Sequence, residues 1–138
     1  MINVDKDSGF ITNFSKEEVY QILIDIKRKV QREDYTVSMN RPKNRDFMRN
    51  YQISSEEIKQ ILLELAVEDF GYALLNDRTD PRYSDEILHV FCKTCHFIPF
   101  TEEDYVAVEV FIKLNNLVGK CIIVSFHKAE RSFNFLFK

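Results

Sequence analysis

Apolar positions change period part-way along this chain. From Ser15, "SKEEVYQILIDIKRKV" places Val19, Ile22, Leu23, Ile26 and Val30 at three- and four-residue intervals. That spacing gathers side chains on one face of a helix. Ser15 and Glu18 form a capping box, in which each side chain takes a backbone N–H left free at the helix start. Lys27, Arg28 and Lys29 stand near the other end, where the helix dipole favours cations. The pattern predicts a helix over 15–32. "SSEEIKQILLEL" repeats the signature with Ser54, Glu57 and the stripe Ile58, Ile61, Leu62 and Leu65, predicting a second helix over 55–66, to which "VEDFGY" adds a turn. Between the two, "YTVSMNRPKN" reads as a loop with a short extended piece, and Asn44 is placed to cap a short helix through Phe47 and Met48.

The polar, acid-rich stretch 74–86 reads as a loop, and beyond it the period becomes two. "ILHVFCK", "VAVEVFIKL" and "CIIVSFHK" are rich in Val, Ile and Phe and alternate as half-buried strands do. "NNLVGK" reads as a tight hairpin, the connection 94–105 is longer and carries Pro99, and "AERSFNFLFK" reads as a fourth edge strand or a packed tail. Helices first and an antiparallel meander second make an α+β fold. A single domain over 1–138 is expected, with a polar lead over 1–14, a mainly helical part over 15–72 and an antiparallel sheet of three or four strands over 86–138.

Alternation also assigns faces. Val106, Val108, Val110, Ile112 and Leu114 share one side of the middle strand. With Leu88 and Val90, and with Ile122, Val124 and Phe126, they are expected to face the helices. His89, Phe91, Glu109, Phe111, Lys113, Ser125 and His127 then fall on the opposite side.

With 138 residues, 45% of them apolar, the chain can bury a core of its own. Its net charge of −3 is a poor match to a protein that is basic throughout. The charge is uneven, however: residues 27–49 hold eight Lys and Arg against three Asp and Glu, while acids gather at 54–69, 77–86 and 102–109. A basic strip with Arg41, Lys43 and Arg45 is therefore a candidate contact for an anionic partner, or else a solvated face. No apolar run is long enough to span a membrane, and "MINVDKDSGF" does not read as a secretory signal, so a cytoplasmic location with reduced thiols is expected. Three cysteines, an odd number, also argue against a disulfide framework.

Residues 92–96, "CKTCH", resemble a c-type haem attachment string and the start of a zinc site. Haem attachment would require export. In a continuous strand Cys92 and Cys95 point to opposite faces and cannot share one ion, and no second CxxC exists. No metal and no cofactor are expected.

"PKNRDFM", "SSEEIKQILLELAVEDF", "ILHVFCK", "VFIKL" and "CIIVSFHKAE" follow one another in an order and spacing that resembles the MqsR family (motility quorum-sensing regulator), more closely its Gram-positive branch. The resemblance covers roughly residues 15–138 and is weakest over 94–105. It implies a RelE-like fold and the activity of a metal-independent mRNA interferase, the toxin of a toxin–antitoxin module, with mRNA as substrate and a cognate antitoxin as partner. The family's sheet tyrosine falls on Phe111, its lysine after "VSF" falls on His127, and a further lysine falls on Tyr72.

Metal-free RNA cleavage needs a base for the 2′-OH, an acid for the leaving 5′ oxygen and cations near the phosphate. His127 can do either proton job near neutral pH, as can His89. Glu109 is a candidate partner, Lys113 and the arginines of 41–49 can stabilise the phosphorane, and Phe111 can stack a base. A second class of function fits the same chain: a non-catalytic interaction protein, a degenerate toxin that binds an antitoxin or RNA.

Overall fold

The computed structural model describes residues 9–76 and 86–138. It is an α+β fold of three α-helices and a five-stranded mixed sheet. The order is α1 (Lys16–Gln31), β1 (Tyr35–Val37), α2 (Pro42–Asn50), α3 (Ser55–Leu63), a 3-10 turn (Val67–Asp69), β2 (Phe70–Leu75), β3 (Ile87–Phe97), β4 (Val106–Asn116) and β5 (Cys121–Lys128). Across the sheet the strands run β1-β5-β4-β3-β2. The pairing is antiparallel except for β1, which lies parallel to β5. No helix among the described residues is long and apolar enough to cross a membrane.

Both capping boxes form. The Ser15 and Glu18 backbone N–H groups donate to the Glu18 carboxylate and the Ser15 hydroxyl at 2.8 and 3.1 Å, and Ser54 and Glu57 repeat the exchange at 3.1 Å each. The apolar stripes Val19, Leu23, Ile26 and Val30 and Ile58, Ile61, Leu62 and Leu65 are buried. They belong to one cluster with Phe47 and Met48 of α2 and with Val108, Val110, Ile112 and Leu114 of β4. The sheet side carrying these β4 residues is termed the core face below, and its reverse the outer face. Lys29 is buried as well: its ammonium donates to the Asp25 carboxylate and to Asn116 Oδ1, both at 2.7 Å, and to the Leu117 carbonyl, tying α1 to the β4–β5 turn.

Five strands replace the expected three or four, and one pairing is parallel. The added strands are β1, which is the short extended piece, and β2, read from sequence as a helical turn and the start of a loop. "FGYALL" lacks alternation because β2 is covered on both sides: Phe70 joins the core, while the Phe133 ring of the C-terminal segment lies over Gly71. A Cβ at Gly71 would stand 2.3 Å from Phe133 Cζ, so any larger residue would push the ring from this position. The rest of the expected 74–86 loop, residues 77–85, lies outside the described residues. The C-terminal segment is a packed tail and not a strand: Leu136 N–H donates to the Phe70 carbonyl at 3.0 Å, and Leu136 and Phe137 pack against the core.

Two phase assignments are also corrected. Phe91 pairs with Ile112, Cys95 with Val108 and His89 with Leu114, so these β3 residues share the core face. Leu88, Val90 and Cys92 point outward, yet they too are buried. A strand apolar on both sides carries no usable phase in its sequence. In β5 a bulge intervenes: Lys113 pairs with Ser125 but Leu114 with Ile123, leaving Val124 as the extra residue. Cys121, Ile123 and Phe126 therefore enter the core, and Ile122 and Val124, expected there, are outside that cluster.

Asn44 does not cap α2. The helix starts at Pro42 with Arg41 at the N-cap, and Asn44, buried, reaches β5 instead. Its amide donates to the Ser38 and Val124 carbonyls at 2.9 and 3.1 Å, and its oxygen accepts the Phe126 N–H at 2.9 Å. The Ser38 carbonyl and two polar groups of β5 beyond the end of β1 are thus satisfied by one side chain.

Candidate functional site

The outer face carries a cleft of about 1020 Å³. β4 contributes Phe111 and Lys113, β5 contributes Ser125 and His127, and β2 contributes Tyr72. The start of α2 supplies Arg41 and Lys43, and the tail supplies Glu130, Arg131 and Phe133. The Asn44 strap and the bulge bring α2 against β5, which is why a basic segment distant in sequence borders the strand residues.

His127 pairs across the strands with Phe111, and the two rings lie nearly parallel, 17° apart with centroids 5.4 Å apart. His127 Nδ1 is 3.0 Å from the Lys128 carbonyl. A neutral imidazole that donates there keeps its proton on Nδ1 and leaves the Nε2 lone pair available. Ser125, paired with Lys113, accepts a hydrogen bond from Arg41 Nη1 at 3.2 Å. Lys43 forms an ion pair with Glu130. Tyr72 stacks on Phe10 at 3.7 Å and faces Phe133 at 5.7 Å, and burial raises its phenol pKa above the ordinary value. Among the described residues, Arg41, Lys43, Lys113 and Arg131 line the cleft against one carboxylate, Glu130, although the chain as a whole is acidic.

Of the residues singled out from sequence, His127, Lys113, Phe111, Arg41 and Lys43 meet in this cleft. Glu109 shares the outer face with Phe111 but does not line the cleft. Arg45 is directed elsewhere, its guanidinium donating to the Met39 carbonyl at 3.3 Å. Tyr72, Phe111 and His127, the three positions picked out by the family resemblance, all line it. Sequence reasoning missed Arg131, Phe133 and Glu130, because the return of the tail across the sheet leaves no periodic signal.

His89 is the clear correction. It sits on the core face beside Phe14 and Phe70, with ring centroids 5.9 and 6.4 Å away, and its Nδ1 has no hydrogen-bond partner. It cannot act with His127, which is on the other side of the sheet. Burial lowers its pKa from 6.5 to about 4. The unfolded chain therefore binds a proton between these values that the folded chain refuses, so stability falls as pH drops from about 6.5 to about 4, by about 3 kcal/mol in all. Urea denaturation at pH 7 and pH 4.5 is expected to show most of this loss in the parent and much less of it in His89→Leu. Equal pH dependence in the two proteins would show that His89 is not its source.

Cys92 pairs with Phe111 and Cys95 with Val108, on opposite faces of one continuous strand, so the two thiols cannot converge on one ion. All three cysteines are buried, and burial pushes the thiols of Cys92 and Cys95 up to about 11. Among the described residues no three His, Cys, Asp or Glu side chains cluster as metal ligands.

The chain matches no protein-family model, no curated protein sequence and no solved structure.

Proposed function

We propose that this protein is a metal-independent endoribonuclease of the MqsR-like, RelE-like kind, the toxin of a toxin–antitoxin module, and that the outer-face cleft is its active site. The observation that carries this reading is the placement of His127, stacked on Phe111, in a cleft lined, among the described residues, by four cationic side chains and one carboxylate. Cations there would hold the RNA phosphates. His127 Nε2 takes the proton of a ribose 2′-OH, the 2′ oxygen attacks phosphorus, and Lys113, Arg41 and Arg131 stabilise the charge that develops on the phosphorane. The bond to the 5′ oxygen breaks, and that oxygen takes a proton from Tyr72, whose raised pKa keeps it protonated. The products are a 2′,3′-cyclic phosphate and a 5′-hydroxyl. A cognate antitoxin that covers the cleft would complete the module.

Incubation of purified protein with RNA in the presence of a chelator tests the reading, with expression in a bacterial host as the second arm. Cleavage leaving cyclic phosphate ends, together with growth arrest, is expected. The absence of both overturns it.

RNA contact can be tested separately. Arg41→Gln is expected to flatten the dependence of log K on log[salt] by about 0.7, one phosphate contact on a single strand, while Arg45→Gln, outside the cleft, leaves the slope unchanged. Equal effects of the two would remove the cleft as the RNA contact.

A binding-only protein is the second reading. It is favoured by Phe133, which stands between Tyr72 and Phe111 at 5.7 and 6.3 Å and occupies part of the aromatic surface with the chain's own tail.

A further inference from the structure

Among the described residues Glu130 is the one carboxylate lining the cleft, and it has no role in the reaction described above. It lies three residues beyond His127, just past the end of β5, and its side chain engages Lys43 on α2 across the cleft. Both partners are exposed. An exposed pair of this kind changes an equilibrium by no more than about fivefold, so a competing anion can displace it at little cost. Lys43 is held in the free protein by the kind of group, an oxyanion, that an RNA phosphate would bring. Glu109, assigned the carboxylate role on sequence grounds, is not in the cleft. We propose that the Lys43–Glu130 ion pair is exchanged when RNA binds: a backbone phosphate takes Lys43, and the released Glu130 carboxylate turns to the His127 imidazolium.

Glu130 is then a positioning residue. It acts through His127 by charge, stabilising the imidazolium formed when Nε2 takes the 2′-OH proton while Nδ1 keeps its bond to the Lys128 carbonyl. The same contact delays the reaction until substrate has claimed Lys43. In the free protein the Glu130 carboxylate is held below the usual carboxylate range, first by its hydrogen bond to Lys43 and to a lesser degree by the nearby His127 and Arg131. Release from Lys43 removes the main cause of that lowering, but a glutamate carboxylate is ionised near neutral pH without it.

This inference rests on the ribonuclease reading, and its signature is a split between binding and turnover. In Glu130→Gln, Lys43 is free from the start, so Kd for a single-stranded RNA oligonucleotide should fall about two- to fivefold. Turnover of the same RNA should fall about tenfold or more, with the acid limb of the kcat profile moving to lower pH because the imidazolium has lost its partner. In a Lys43→Met background Glu130→Gln should no longer tighten binding, which reports the coupling of the two residues. A purely structural role would move thermal stability and would not tighten RNA binding while slowing turnover. An unchanged Kd in Glu130→Gln overturns the exchange whatever the cleavage result. Tighter binding with unaltered turnover overturns the assistance to His127. A parent that binds RNA without cutting it overturns the ribonuclease reading while the exchange stays readable in Kd, and a parent that does neither overturns both.

Discussion

His127→Ala is expected to lower RNA cleavage by about 10²–10⁴-fold, the range for a positioned general acid or base. Growth arrest on expression should disappear with it. The thermal midpoint should stay within about 3 °C of the parent, because His127 lies outside the core cluster, on the outer face. Among the described residues it stacks on the Phe111 ring and makes a local hydrogen bond to the Lys128 carbonyl. Loss of activity without loss of stability separates a chemical role from a structural one. His127→Lys sharpens the test: under the proposed MqsR-like reading a lysine is the family's residue at this position, and partial activity is expected. Cleavage by His127→Ala at the parent rate would rule out the proposed base.

Asn44→Ala is expected to have the largest effect on folding, about 3–5 kcal/mol. One buried donor, Phe126 N–H, loses its acceptor, which costs about 1–3 kcal/mol, and the Ser38 and Val124 carbonyls each lose a bond worth about 1 kcal/mol. Asn44→Asp keeps the acceptor but turns a carboxylate oxygen toward two carbonyls, so it should be destabilised to a similar extent. Urea denaturation measures both variants. A change below about 1 kcal/mol in Asn44→Ala would show that water or a backbone shift satisfies these groups equally well.

What could be read from the sequence divides along physical lines. α1 and α3 were legible because capping and stripe are local signals: Ser15 with Glu18 and Ser54 with Glu57 need only their neighbours. β4 was legible because one side of it is core and the other carries Glu109 and Lys113. β2 was not, since Phe133 and the core cover it from both sides. β3 was found, but its phase was not, because Leu88, Val90 and Cys92 are buried on the outer side while Phe91 and Cys95 are buried on the inner one. That single phase difference put His89 among the outer-face candidates, whereas the register places it on the core face. In β5 the bulge at Val124 restored His127 and Ser125 to the side that alternation had assigned them, while shifting the strand's first half. Arg41 and Lys43 were visible as charge, yet their approach to β5 depends on Asn44, a polar residue whose burial no periodicity announces.

The Asn44 strap has a further consequence, for solubility. β5 opens with "CIIVSF", six residues without charge, proline or glycine and rich in β-formers. This is the composition of a segment that recruits copies of itself into stacked strands when its edge is open. β1 closes that edge only over Cys121 to Ile123. Beyond it, the Val124 carbonyl and the Phe126 N–H are taken by one side chain of α2. Asn44 therefore stands where another chain would add a strand, and the contact that places two cations at the cleft also keeps this segment from templating aggregation.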